Sequence, residues 1–184
     1  FTMMNTARVG VGLEGVALGE IAYQTALEFC KDRRQSRSLN PEKRDPDASA
    51  DNIMVHPDVR RQLLTIKASN EAIRGLAYYT AINLDIAHRH PDEAKRQEAS
   101  DLVALLTPII KSYGTEKGHQ NTNDAMQVCG GSGYTTDWSI EQYVRDLRIA
   151  LIYEGTNHIQ ALDLVGRKLT LGGGRLFQVF SGKI

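Results

Sequence analysis

The sequence has only two cysteines in 184 residues, Cys30 and Cys129, and they stand far apart. A disulfide framework and a cysteine-rich metal site are excluded, and two buried thiols in a reducing compartment are expected instead. Neither sign of charge is in excess: Lys plus Arg and Asp plus Glu each total 22. Nothing in the overall field attracts nucleic acid or an anionic membrane, so any basic site must be local. No apolar run approaches the roughly 18 residues that cross a bilayer. The first ten residues, FTMMNTARVG, lack the charged and apolar regions of a secretory signal. Alternating apolar and polar runs, which would mark half-buried strands, are absent. The expectation is a soluble, cytoplasmic, all-α chain with no membrane span, no nucleic-acid partner and no metal.

With 41% hydrophobic residues, the chain suffices for one core, and residues 1–184 read as a single domain. Val59, Leu63, Ile66, Ile73, Ala77, Ala81 and Leu84 recur at spacings of three, four or their sum. That periodicity predicts the longest helix, over 57–89, with this stripe buried. Pro57 and Asp58 suit its first turn and RHPDE ends it. A second long helix is expected over 92–128, with Leu102, Leu105, Leu106, Ile109 and Tyr113 on its apolar face and a kink at Pro108. Residues 3–34 read as helix despite Gly10, Gly12, Gly15 and Gly19, small residues that let a neighbouring backbone come close. The polar stretch 38–52, with Pro41 and Pro46, reads as an exposed loop. GGSGYTTD (130–137) is a second break, and a shorter helix follows over 138–150. An up-and-down, four-helix-bundle-like packing accommodates these elements.

Three apparent motifs fail on context. Gly10-Val-Gly12-Leu-Glu-Gly15 matches the dinucleotide fingerprint by letter, yet no strand precedes it and no sheet is there to receive one. Ser132 lacks the strand and glycine spacing of a nucleophile elbow. His88 and His90, two apart, lie on different helix faces and suit a helix end better than joint metal ligation.

Two loops between helices exceed these readings: QVCGGSGY at 127–134 and IYEGTNHIQ at 152–160. In order, the chain carries Gln127, Gly130, Gly131, Gly133 and Tyr134, then Arg145, Asp146 and Arg148, then Tyr153, Glu154, Gly155 and Thr156. This ordered set resembles the acyl-CoA dehydrogenase family, whose C-terminal helical domain carries a Q-x-x-G-G-x-G-[YF] loop, an R-D-x-R segment and Y-E-G-T. The resemblance extends upstream to the 3–35 helix with its terminal Arg33-x-Gln35, and so covers essentially the whole chain. The polar 38–52 loop and the TNHIQALDLVGRKL helix at 156–169 look most like a longer bacterial branch that includes 3-methylmercaptopropionyl-CoA dehydrogenases.

The resemblance implies a flavin enzyme that takes a proton from Cα and a hydride from Cβ of an acyl-CoA thioester to give the 2-enoyl-CoA. Glu154 is then the base, a role that a weakly acidic proton beside a thioester carbonyl requires. From local sequence alone, a helix-capping acid near Thr156 competes with that role. FAD is the implied cofactor: Arg33, Gln35, Gln127, Gly130 and Gly131 would contact FAD of a neighbouring subunit, and Thr156 and His158 FAD of their own. Asn5 and Arg8 match positions facing the CoA portion, and Tyr153 and Gly155 flank the base beside the thioester. The resemblance also implies a homodimer or homotetramer, an electron-transfer flavoprotein as acceptor, and preceding N-terminal helical and central β-domains absent from these residues.

Some positions depart from the family pattern. Ser36 and Arg37 stand where Phe-Gly usually follows R-x-Q, removing an aromatic contact near the flavin; His158 stands where Gln is common and Asn5 where an acid is common. Ala7 occupies the position where some relatives carry the catalytic acid, which leaves Glu154. Two other readings stay open on sequence: an acyl-CoA oxidase on the same fold, and a non-catalytic helical interaction domain.

Overall fold

A computed structural model describes residues 2–183, and among the described residues there is no strand, only one isolated antiparallel bridge between Arg34 and Asn52. Three long helices dominate: α1 (Thr2–Asp32), α2 (Pro57–Arg89) and α3 (Glu93–Cys129). Shorter helices follow, α4 (Gly131–Tyr134), α5 (Ile140–Arg148), α6 (Asn157–Asp163) and α7 (Leu171–Ser181). Pro57 opens α2 with Asp58 in its first turn, and His90 closes it, as the sequence leads one to expect. Asp92 caps α3, its side chain accepting from the Ala94 amide at 2.8 Å. The short turn between α2 and α3 leaves them no geometry but antiparallel neighbours. Arg96 ties that turn by donating to the carbonyls of His90 and Pro91.

The buried face of α2 runs Leu63, Ile66, Asn70, Ile73, Ala77 and Thr80, so the apolar stripe is interrupted by polar residues. Val59, Ala81 and Leu84, expected with it, are only half-buried. Val59 faces a cavity and so keeps part of its surface. The longest helix is α3 rather than α2, at 37 residues against 33. It runs through the middle of the domain, touching α1, α2, α5, α6 and α7, and passes through Pro108 without interruption. A helix surrounded on several sides has no single apolar stripe. Ile110 is accordingly fully buried while Tyr113, assigned to the core from its spacing, is 48% exposed.

Of the α1 glycines, Gly12 and Gly15 pack on α3 and Gly19 lies against Asn70 of α2, whereas Gly10 has nothing within 4 Å of a built Cβ. A Cβ on Gly15 would lie 2.2 Å from the Gly114 carbonyl oxygen, and one on Gly118 would lie 2.3 Å from that of Gly15. Gly12 and Gly114 approach similarly. The two backbones touch, and two of the three glycines of the nucleotide fingerprint, Gly12 and Gly15, are the small face of a helix crossing, while Gly10 is exposed. Beside this contact, Asn121 donates to Asn70 at 2.8 Å and accepts from Ser69 at 3.0 Å, a buried polar pairing across α2 and α3. Both cysteines are buried in the core with Ala26, Ile66 and Ile140.

The segment between α1 and α2 is exposed over most of its length but ordered by its own hydrogen bonds. Gln35 N donates to Asp51 O (2.9 Å) and Ile53 N to Arg33 O (3.0 Å), pinning the residues that leave α1. The buried Asp51 carboxylate accepts from the amides of Ser38 and Asp45.

Candidate functional site

Two separate places collect the residues singled out from the sequence. The first is the loop between α5 and α6. After Arg148 the chain tightens through Ile149–Leu151, then takes two successive left-handed residues, Glu154 at φ 54° and Gly155 at φ 86°. Gly155 adopts this conformation freely, whereas Glu154 carries a Cβ and is strained there. Strain of this kind persists only where the surroundings hold it, and here they do. Arg8 Nε on α1 donates to the Glu154 carbonyl at 3.1 Å, and Gln160 Nε2, fully buried, donates to the carbonyls of Glu154 and Gly155 at 3.2 Å each. Thr156 caps α6, its hydroxyl accepting from the Ile159 amide. The capping role is therefore filled by Thr156 and not by Glu154. A Cβ on Gly155 would meet Gln160 Nε2 at 2.7 Å and Arg8 Nη2 at 3.4 Å, so the site also needs its missing side chain.

The Glu154 side chain is half-buried and borders charged neighbours. Tyr153 donates its hydroxyl to Glu14 of α1; burial, that hydrogen bond and the nearby carboxylates of Glu14 and Glu154 push its phenol up to about 12. Arg8 thus reaches the loop backbone, the use the structure shows for its Nε, and Asn5 sits half-buried three residues earlier on α1. His158 is exposed in the first turn of α6. Glu14, Gln160, Asn157 and Lys111 are participants that sequence reasoning missed. Glu14 and Lys111 carry no local motif, and only the crossing of α1, α3 and α6 puts them at the loop, whereas Asn157 and Gln160 lie within the 152–160 stretch itself without a role assigned to them there.

The second place is a cavity of about 600 Å3 at the far end of α1, and it brings together Arg33, Gln35, Gln127, Gly130 and Gly131. None of the residues of the Glu154 loop lines it. Arg33 donates to Gln35 Oε1 at 3.1 Å and lies over the Phe29 ring at 5.9 Å, while Trp138 braces that ring edge-on at 5.1 Å. An aromatic wall is therefore present, supplied by Phe29 from within α1, although Ser36 and Arg37 replace the usual Phe-Gly. His56 joins the wall unannounced by any motif; because a carbonyl only accepts, its Nε2 must carry the proton it shares with Gln35 O at 2.9 Å.

The glycines of the 130–133 stretch, of which Gly130 and Gly131 line the cavity, differ in what they are for. Gly130 has φ 58°, and a Cβ on Gly133 would collide with Cys129 Cβ at 2.8 Å. Gly131 has no left-handed backbone and no neighbour within 4 Å of a built Cβ. The chain itself gives no reason for its bare backbone, whereas a ligand approaching from outside would. With a cation, amide side chains and an exposed glycine backbone, the donor set suits an anionic, hydrogen-bonding group such as a nucleotide phosphate. Among the described residues no group of three or more potential ligands could hold a metal ion, and no helix is long and apolar enough to cross a membrane.

The fold and these two places define a class: a helical domain that presents one carboxylate on a strained loop at the end of a bundle and a basic, glycine-lined cavity elsewhere. Residues 43–169 match the family model described as the C-terminal domain of acyl-CoA dehydrogenase. The chain is 43% identical over its full length to 3-methylmercaptopropionyl-CoA dehydrogenase of Ruegeria pomeroyi, and 37% identical to the broad-specificity linear acyl-CoA dehydrogenase FadE5 of Mycobacterium tuberculosis. In each case it covers 30% of the relative's length. Among solved structures, butyryl-CoA dehydrogenase from Megasphaera elsdenii superposes with a TM-score of 0.69 at 25% identity, over 91% of this chain and 37% of that one. Nitroalkane oxidase shares the fold, with a TM-score of 0.76 at 19% identity over 98% of this chain and 37% of that one. The chain belongs to the acyl-CoA dehydrogenase family, as a member of its C-terminal helical domain.

Proposed function

We propose that this chain is the base-bearing C-terminal domain of a flavin-dependent acyl-CoA dehydrogenase, with Glu154 removing the Cα proton of the thioester. The observation that carries this reading is the conformation of Glu154. A non-glycine residue held at φ 54° by Arg8 and Gln160 stores strain, and such strain clusters where a side chain must be aimed. The carboxylate has a second requirement, a carbonyl polarised while the enolate develops, and the Glu154 backbone amide is the donor this chain supplies for it. The cofactor, FAD, would accept the hydride from Cβ when bound. Thr156 and His158 would contact FAD of the same subunit. Arg33, Gln35, Gln127, Gly130 and Gly131 would hold the phosphate and adenosine side of FAD from another subunit, a division that accounts for why the cavity and the Glu154 loop lie apart. Asn5, Arg8, Tyr153 and Gly155 would line the path of the acyl-CoA.

That arrangement requires at least a homodimer, and an electron-transfer flavoprotein is the acceptor we infer for the reduced flavin. The remaining surface of the site would come from an N-terminal helical domain and a central β-domain, consistent with the 30% share of its relatives' length that the chain covers. A cytoplasmic, bacterial setting accords with the bacterial relatives. 3-Methylmercaptopropionyl-CoA and butyryl-CoA are the first thioesters to assay, since they name relatives 43% and 34% identical.

The test is the visible flavin spectrum of the full-length protein titrated anaerobically with acyl-CoAs of several chain lengths, for wild type and Glu154→Gln. Wild type should bleach and Glu154→Gln should retain FAD without bleaching. Equal bleaching in both would refute the base assignment. Hydrogen peroxide release during aerobic turnover would redirect the reading to an oxidase.

A further inference from the structure

Beneath the Glu154 loop lies a charge that the proposed reaction does not use. Lys111, in the middle of α3, is fully buried, and its Nζ donates to Asn157 Oδ1 at 3.0 Å. Among the described residues no carboxylate forms an ion pair with it. An ammonium has three protons to donate and loses its hydration on burial, so a single neutral acceptor leaves it poorly compensated. Burial holds its pKa below the ordinary lysine range, the positive charge of Arg8 lowers it further, and the Glu154 carboxylate works against both. On stability alone, an apolar side chain of similar length would serve as well or better. The lysine therefore asks for another explanation.

Its acceptor supplies one. Asn157 is the first residue of α6, three residues after Glu154. Its amide is oriented without ambiguity, because Oδ1 meets the donor-only ammonium while Nδ2 faces acceptors, the Ser112 carbonyl at 3.3 Å and Glu116 Oε2 at 3.2 Å. Thr115 completes the arrangement, its hydroxyl bonded to the Lys111 carbonyl at 2.8 Å and lying 3.2 Å from Asn157 Nδ2. One side chain of α6 is thus locked onto one turn of α3, directly after the two left-handed residues. Arg8 and Gln160 hold the loop by its carbonyls; the Lys111–Asn157 bond holds the point at which it re-enters a helix.

We propose that Lys111 is a positioning residue for the Glu154 loop, acting through Asn157 to fix where α6 starts and thereby the direction of the Glu154 carboxylate. The inference rests on the reading of Glu154 as the base. Misplacing a reacting group by about 1 Å costs on the order of 100-fold in rate, which sets the scale of the expected effect.

The test uses the full-length holoprotein and the variants Lys111→Met, Asn157→Ser and the double variant. The readouts are FAD content, thermal unfolding, KM and the rate of flavin bleaching by a thioester that wild type oxidises. Each single variant should keep its FAD and KM while bleaching slows about 10- to 100-fold, and the double variant should be no slower than the worse single one, because both remove the same bond. Undiminished bleaching in the variants overturns the proposal, as does a rate loss that merely tracks lost FAD or is multiplicative in the double variant. If Lys111→Met does not fold, Asn157→Ser decides alone at a half-buried position, its bleaching rate compared with wild type per bound FAD. A wild type that bleaches with no thioester sinks the dehydrogenase reading and this inference together, whereas bleaching that the variants leave unchanged sinks only the role of Lys111.

Discussion

Replacing Gly118 by Ala tests whether the α1–α3 crossing is as close as the structure has it. The new Cβ would lie 2.3 Å from the Gly15 carbonyl oxygen and 2.6 Å from Gly15 Cα. Both are backbone atoms of a helix, so no side chain can rotate away, and about 1 Å of separation is needed to reach ordinary contact near 3.4 Å. Overpacking of this kind costs about 1–3 kcal/mol, to which the dispersion lost along the opened crossing adds. Opposing it, alanine is favoured over glycine inside a helix by about 1 kcal/mol. Gly75 provides the internal control: it lies within α2, is exposed, and a Cβ there meets nothing within 4 Å. Gly75→Ala should therefore stabilise by about 0.5–1 kcal/mol, while Gly118→Ala should destabilise by about 1–3 kcal/mol. Equilibrium urea unfolding of the 184-residue chain, followed by far-UV circular dichroism, measures both. If Gly118→Ala proved as stable as Gly75→Ala, the backbone contact, and with it our account of the α1 glycines, would be wrong.

Gly155→Ala should slow flavin bleaching more than it lowers thermal stability, since it strains a residue at φ 86° and pushes on Gln160, a holder of the loop; equal rates in variant and wild type would count against the clamp. Burial raises the thiols of Cys30 and Cys129 to about 11 and about 12 from 9.0, so an aromatic disulfide reagent at neutral pH should find no reactive thiol in the native chain and two after denaturation. Because the folded state keeps these protons while the unfolded state releases them above pH 9.0, the stabilisation is complete below that pH and is lost as pH rises toward about 12; unfolding free energies measured across that window should fall. The isolated chain should fold but retain no stoichiometric FAD after free cofactor is removed, because a few exposed contacts do not offset about 4–15 kcal/mol of lost translational and rotational freedom. A flavin band that persists and bleaches with a thioester would show that the other domains are dispensable.

What the sequence by itself determined is local. Pro57 and Asp58 start α2, the RHPDE turn ends it, Asp92 starts α3, and Gly130 breaks α3, because caps, fixed φ and left-handed backbone are decided within a few residues. The ordered motifs likewise placed Glu154 and the two glycine-bearing loops on the correct breaks between helices. Burial was legible where a helix has one covered side, as at Leu63, Ile66 and Ile73. It was misread at Tyr113, because α3 is covered from several directions and spacing then no longer says which residues face out. Tertiary structure alone decided that Gly15 meets Gly114, that Arg8 bonds a carbonyl 146 residues away, and that Lys111 lies under Asn157. The small residues of α1 signalled a close backbone approach, but none of these partners has a signature in the chain, since a hydrogen bond or a backbone contact between distant residues exists only once the helices cross at a given distance and angle. The strain at Glu154 belongs to the same category: its side chain is written in the sequence, but its left-handed backbone is held by α1 and α6.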